Sequence, residues 1–157
     1  MAVISRIYKQ PERAYLFDVV IQSLQDALGG ISWLNHIFGR SERLVQMREG
    51  KKLYTPNVYY GKDEYISLLP DNTALGNYCF FVMQEPQLVT MPMGTQNRVK
   101  APFSLIVWLD MRTIGRNKDD RNTEYVKELI LRTIRKAWKK KGSVTIERIY
   151  ERAENIF

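Results

Sequence analysis

The apolar positions of the chain follow two different periods. From Arg13 to Leu28, Phe17, Val20, Ile21, Leu24 and Leu28 recur at helical spacing while Asp18, Gln22, Gln25 and Asp26 fall elsewhere, which predicts an amphipathic helix. Gly29-Gly30 then stops it. Glycine reaches the left-handed conformation that closes helix ends at no side-chain cost, so the pair reads as a cap rather than part of a phosphate loop. Ile31 to Phe38 continues the apolar texture as a short second helix before Gly39. From Arg40 the pattern changes. Leu44, Val45 and Met47, a turn at Glu49-Gly50-Lys51, and Leu53-Tyr54-Thr55 read as a hairpin that Pro56 interrupts. Short aromatic-rich extended pieces or loop follow at Asn57 to Gly61 and Tyr65 to Pro70.

A turn cluster from Asp71 to Asn77 feeds Tyr78 to Gln84, a run apolar on both faces and so central in its sheet. Glu85 to Lys100 contains Pro86, Pro92 and Gly94 and reads as a long loop or extended hairpin, an arm at about 85–101. Phe103 to Asp110 is a second buried strand, followed by a polar connection from Thr113 to Arg121. The strongest helix runs from Asn122 or Thr123 to about Lys140. Its apolar stripe is Val126, Leu129, Ile130, Thr133, Ile134, Ala137 and Trp138, with Arg132, Arg135, Lys136 and Lys139 on the other side. Asn122 or Thr123 suits its N-cap, Glu124 its first turn, and the lysines before Gly142 its C-terminal dipole. Ser143 to Ile149 alternates as a last strand. The expected class is α+β: one small antiparallel or mixed sheet packed against an N-terminal helix and a long C-terminal amphipathic helix, in a single domain over 1–157.

Composition adds bounds to this picture. At 157 residues, with 45% hydrophobic and 26% charged, one core suffices and order is expected nearly throughout. The single cysteine, Cys79, lies in the central strand, so it is expected buried and the chain without an internal disulfide, in a reducing compartment. Met1 to Arg6 lacks a signal-peptide core and no apolar run approaches the roughly 18 residues of a membrane span, so neither secretion by that route nor membrane contact is expected. The net charge is +7, and Gly115 to Lys141 holds ten basic residues against four acids. That asymmetry permits contact with nucleic acid, an anionic surface or an acidic partner, and equally a solvated helix face.

Chemistry is sparse. One histidine, His36, and one cysteine cannot supply a zinc site, so no metal is expected. His36 sits in the apolar stretch Trp33 to Phe38 and reads as structural or surface-facing rather than catalytic. No Walker A loop or dinucleotide fingerprint is present, so no cofactor and no small-molecule substrate are expected. The loose nuclease candidates, Asp110, Asp71 and Glu49-Gly50-Lys51, have plainer roles at turns and strand ends, and the expectation is that the chain is not an enzyme. Binding surface remains. Tyr54, Tyr59, Tyr60 and Tyr65 cluster, as tyrosines do at protein interfaces or where edge strands cover a core. Tyrosine-rich strands beside a basic helix also suit nucleic acid.

The phrases Thr55-Pro56-Asn57-Val58-Tyr59-Tyr60-Gly61-Lys62-Asp63-Glu64-Tyr65, Leu75-Gly76-Asn77-Tyr78-Cys79-Phe80-Phe81-Val82 and Ala101 to Asp110, with this element order, carry a resemblance. The chain resembles the head-to-tail joining and tail-terminator proteins of tailed bacteriophages, closest to those of Bacteroidetes and crAss-like phages and prophages. The resemblance implies a structural virion protein, assembled in the bacterial host cytoplasm. Many copies would form a ring in the neck or at the tail end, joining portal and tail proteins around the DNA passage. Met91, Pro92 and Met93 in the arm, with Tyr59, Tyr60 and Tyr65, are then the candidate subunit interface. Arg132, Arg135, Lys136 and Lys139 form the candidate basic surface, facing an acidic neighbour or outward, with at most non-specific proximity to DNA. The alternative is a basic nucleic-acid-binding accessory protein of a phage or mobile element.

Overall fold

The computed structural model describes residues 5–10, 16–68, 75–85, 87–90, 97–114 and 123–137. Its centre is a four-stranded mixed sheet in the order β1 (Arg6–Ile7), β2 (His36–Arg40), β6 (Tyr78–Met83), β9 (Phe103–Trp108). β1 and β2 are parallel, β2 and β6 are parallel, and β6 and β9 are antiparallel. The α+β class and the mixed sheet against two helices stand as the pattern predicts.

Strand β6 explains the layering. Its odd residues Cys79, Phe81 and Met83 join one core cluster, and its even residues Tyr78, Phe80 and Val82 join the other. The first cluster lies under helices α1 (Phe17–Leu28) and α2 (Thr123–Ala137), which contribute Val20, Ile21, Leu24 and Leu28 from one and Leu129, Ile130 and Ile134 from the other. The second lies under an antiparallel sheet of β3 (Glu42–Arg48), β4 (Lys51–Gly61) and β5 (Glu64–Ser67), through Val58, Tyr60, Ile66 and Leu68. A strand buried on both faces must be apolar at every position, and β6 is. The third pair, β7 (Gln87–Thr90) and β8 (Asn97–Lys100), is the extended hairpin expected of the 85–101 arm.

Several expectations need correction. Ile31 to Phe38 is not a helix: a turn leads into β2, because Ile37 and Phe38 face opposite cores and pair alongside β6. Pro56 does not break its strand, for it lies within β4 opposite Arg43. Its carbonyl accepts from the Leu68 N–H at 2.8 Å, so its missing N–H also points to that side and no bond of the β3–β4 ladder is lost. Gly29 is right-handed, at φ −59°, so the helix end needs no left-handed residue there; a Cβ at this position would come within 2.8 Å of Ile7 Cδ1, the movable end of that side chain. Gln25, read as outward, is fully buried, and its Nε2 donates to the carbonyls of Tyr8 (2.8 Å) and Ile37 (3.3 Å), joining α1 to the ends of β1 and β2. β9 is half-buried rather than fully buried. Asn122, Trp138 to Lys140 and the strand expected at Ser143 to Ile149 lie outside the described residues.

Candidate functional site

Several polar side chains among the described residues serve the fold. Asn77, buried at the start of β6, donates from Nδ2 to the Trp33 carbonyl (2.9 Å) and to Thr113 Oγ1 (2.8 Å), and its Oδ1 accepts from the Asp110 N–H (2.7 Å). Asp110 in turn holds Arg112 through Oδ1 to Nε (2.9 Å) and Oδ2 to Nη2 (2.7 Å). His36 shares a 3.0 Å hydrogen bond from Nδ1 with the Tyr8 hydroxyl, within a stack of Tyr8, Phe38 and Tyr60. Burial first, then the Arg6 charge, lowers the His36 pKa below the ordinary histidine value, and burial raises that of Tyr8. The Cys79 thiol is pushed far above its usual range by burial. Among the described residues no group of three or more histidines, cysteines and acids is placed to hold a metal ion. Asp71 lies outside them, and Glu49 sits in an exposed turn.

Among the described candidate interface residues, the three tyrosines do not share one surface. Tyr60 is an inward residue, stacked on Tyr8 at 5.2 Å. Tyr59 and Tyr65 are cross-strand partners on the other face of the same sheet, edge to face at 5.6 Å, with the Tyr65 hydroxyl donating to Gln10 Oε1. Met91, Pro92 and Met93 lie outside the described residues. On α2, Arg132 pairs with Glu128 at 3.3 Å and Lys127 with Glu124 at 3.4 Å, while Arg135 and Lys136 are exposed. Lys139 is outside the described residues. The basic face of this helix is therefore partly neutralised by its own acids, three- and four-residue spacing placing each pair about one turn apart.

The surface that sequence reasoning missed is made by the two hairpins. β2 and β6 are parallel neighbours, so their C-terminal ends lie at one end of the central sheet, and each runs directly into an arm. β3 starts two residues after β2, the Ser41 N–H donating to the Phe81 carbonyl at 2.7 Å. β7–β8 prolongs the β6–β9 pair, bridged by the Gln84 N–H to the Pro102 carbonyl at 2.9 Å. In the β3–β4 ribbon, Val45 lies opposite Tyr54 and Met47 opposite Lys52, on the face of β4 that carries Val58 and Tyr60 into the core. Past the end of the sheet that face loses its cover: Val45 is 50% exposed, Met47 67% and Tyr54 55%. The reverse face presents Leu53, 39% exposed, and the facing pair Arg48 and Lys51. Glu49 and Gly50 close the tip with φ of 51° and 74°, the double left-handed geometry of a two-residue turn that suits strand twist.

The alternation of Leu44 to Met47 signals a strand, but which of its residues outlive the sheet beneath them is settled only by where β2 and β6 end. No protein-family model, no curated protein and no solved structure matches this chain.

Proposed function

We propose that this chain is a structural subunit that assembles with copies of itself into a closed ring, with the β3–β4 ribbon reaching onto the neighbouring copy. The reading agrees with the resemblance to phage neck and tail-terminator proteins, in which such a ring would join portal and tail proteins. The observation that carries it is the inner face of the ribbon, where the core-facing row of β4 continues as exposed Val45, Met47 and Tyr54. Covering a side chain of this kind stabilises by about 2 kcal/mol, so a neighbour seated there gains several kcal/mol before the costs of association. A closed ring needs a heterologous contact, in which one patch of each copy meets a different patch of the next, and an arm leaving one end of the molecule supplies one half of it.

Native mass measurement at tens of micromolar tests this. A ring of defined copy number is expected for the parent chain. The double variant Val45→Ser with Met47→Ser should be monomeric yet melt within a few degrees of the parent, since both residues are exposed. A parent chain that stays monomeric, alone and beside portal and tail proteins, overturns the reading.

A further inference from the structure

The tip of the same ribbon points to a different partner. We infer that the tip of the β3–β4 hairpin, through Arg48, Lys51 and Lys52, binds the phosphate backbone of a nucleic-acid duplex. Arg48 and Lys51 are direct cross-strand partners, and like charges placed opposite one another destabilise a sheet unless an anion lies between them. Lys52 follows at the next position and so points to the inner face across from Met47, and all three are exposed at the tip. Among the described residues no ion pair engages Arg40, Arg48, Lys51 or Lys52, whereas the α2 cations Lys127 and Arg132 have acids at 3.4 and 3.3 Å. Over Arg40 to Lys52 and Gln84 to Lys100, the stretches that build the two arms, seven basic residues stand against three acids. The ribbon tip thus presents a cluster of exposed cations without ion pairs among the described residues, as Arg135 and Lys136 do on α2.

Duplex nucleic acid fits this surface better than an acidic protein does. Lysine is depleted from protein interfaces but serves readily as a point-charge contact to phosphate. A two-stranded ribbon also matches the major groove, about 12 Å wide. One exposed tyrosine, Tyr54, is not the row of stacking platforms that a single strand needs. The inference does not depend on ring assembly, because Val45 and Met47 can be changed without touching the three cations, although Lys52 lies across from Met47 on the inner face.

Fluorescence anisotropy of a labelled 20-base-pair duplex, titrated with the full-length chain at 50 to 200 mM salt, tests it. The triple variant Arg48→Gln, Lys51→Gln, Lys52→Gln should bind at least about tenfold more weakly at low salt, with the log–log salt slope flattened by about three units. Glu49→Lys should tighten binding and steepen the slope by about one unit, a gain that a folding defect cannot mimic. Arg135→Gln with Lys136→Gln on α2 should change nothing, and Val45→Ser with Met47→Ser should leave duplex binding intact even where assembly is lost. No duplex binding at 50 mM salt overturns the assignment, and so does loss of binding on the α2 change with the triple variant unaffected. Polyglutamate competing as well as the duplex, charge for charge, overturns it in favour of an acidic protein surface.

Discussion

Asn77 shows how one side chain can hold three chain segments in place. Its amide spans the Trp33 turn, the start of β6 and the turn after β9, and Asn35 Oδ1 accepts from its backbone N–H at 2.9 Å. Asn77→Ala strands the Trp33 carbonyl and the Asp110 N–H in a partly buried setting, which costs about 2–3 kcal/mol. Denaturant unfolding should show this as a lower midpoint with an unchanged slope. His36 governs the acid side of stability. Its folded pKa lies below the unfolded value near 6.5, so the unfolded chain takes up the proton more readily. Stability is therefore full above pH 6.5 and lost as pH falls below it. His36 is the chain's single histidine, so thermal melts between pH 7 and 5.5 isolate it. His36→Phe keeps the ring in the stack and should abolish the slope in that window.

At the scale of elements, the β3–β4 ribbon carries a local cost at its turn. Glu49 holds φ 51°, which strains a residue other than glycine, asparagine or aspartate. Glu49→Asn should raise stability by about 0.5–1 kcal/mol, read as a higher denaturation midpoint. The hairpin itself was legible in the sequence because its alternation and its Glu-Gly turn are local signals. So were α1, α2 and the doubly apolar β6. Ile31 to Phe38 was not, since Ile31, Leu34 and Phe38 sit at helical spacing, and only pairing of Ile37 with Cys79 from far along the chain decides for a strand. Gln25 carries no mark of burial in the sequence, because what buries it is a pair of strand-end carbonyls contributed by Tyr8 and Ile37. The candidate site was half legible. The positive charge is plain in the composition, but α2 neutralises part of its share through Glu124 and Glu128, while the cations of the ribbon tip have no ion pair among the described residues.

For the molecule as a whole, the arrangement of β2 and β6 bears on how the fold is reached. Ile37 and Cys79 pair in parallel although the whole β3–β5 sheet intervenes between them in the chain. A β-hairpin closes in about 1–10 μs, whereas pairing across such a span must first meet a large loss of chain freedom. The ribbon therefore folds first. Until Tyr78 to Met83 dock, its Val58 and Tyr60 have no strand to cover. Cys79 supplies a clock for the later event, because its thiol is alkylated readily only while the central sheet is open. In refolding from denaturant, pulsed alkylation should find Cys79 still reactive after the amides that pair Gln46 with Leu53 are protected from exchange. The chain thus passes through an interval in which its most adhesive surface is finished and its centre is not, and crowding among nascent copies is the hazard that this order of events creates.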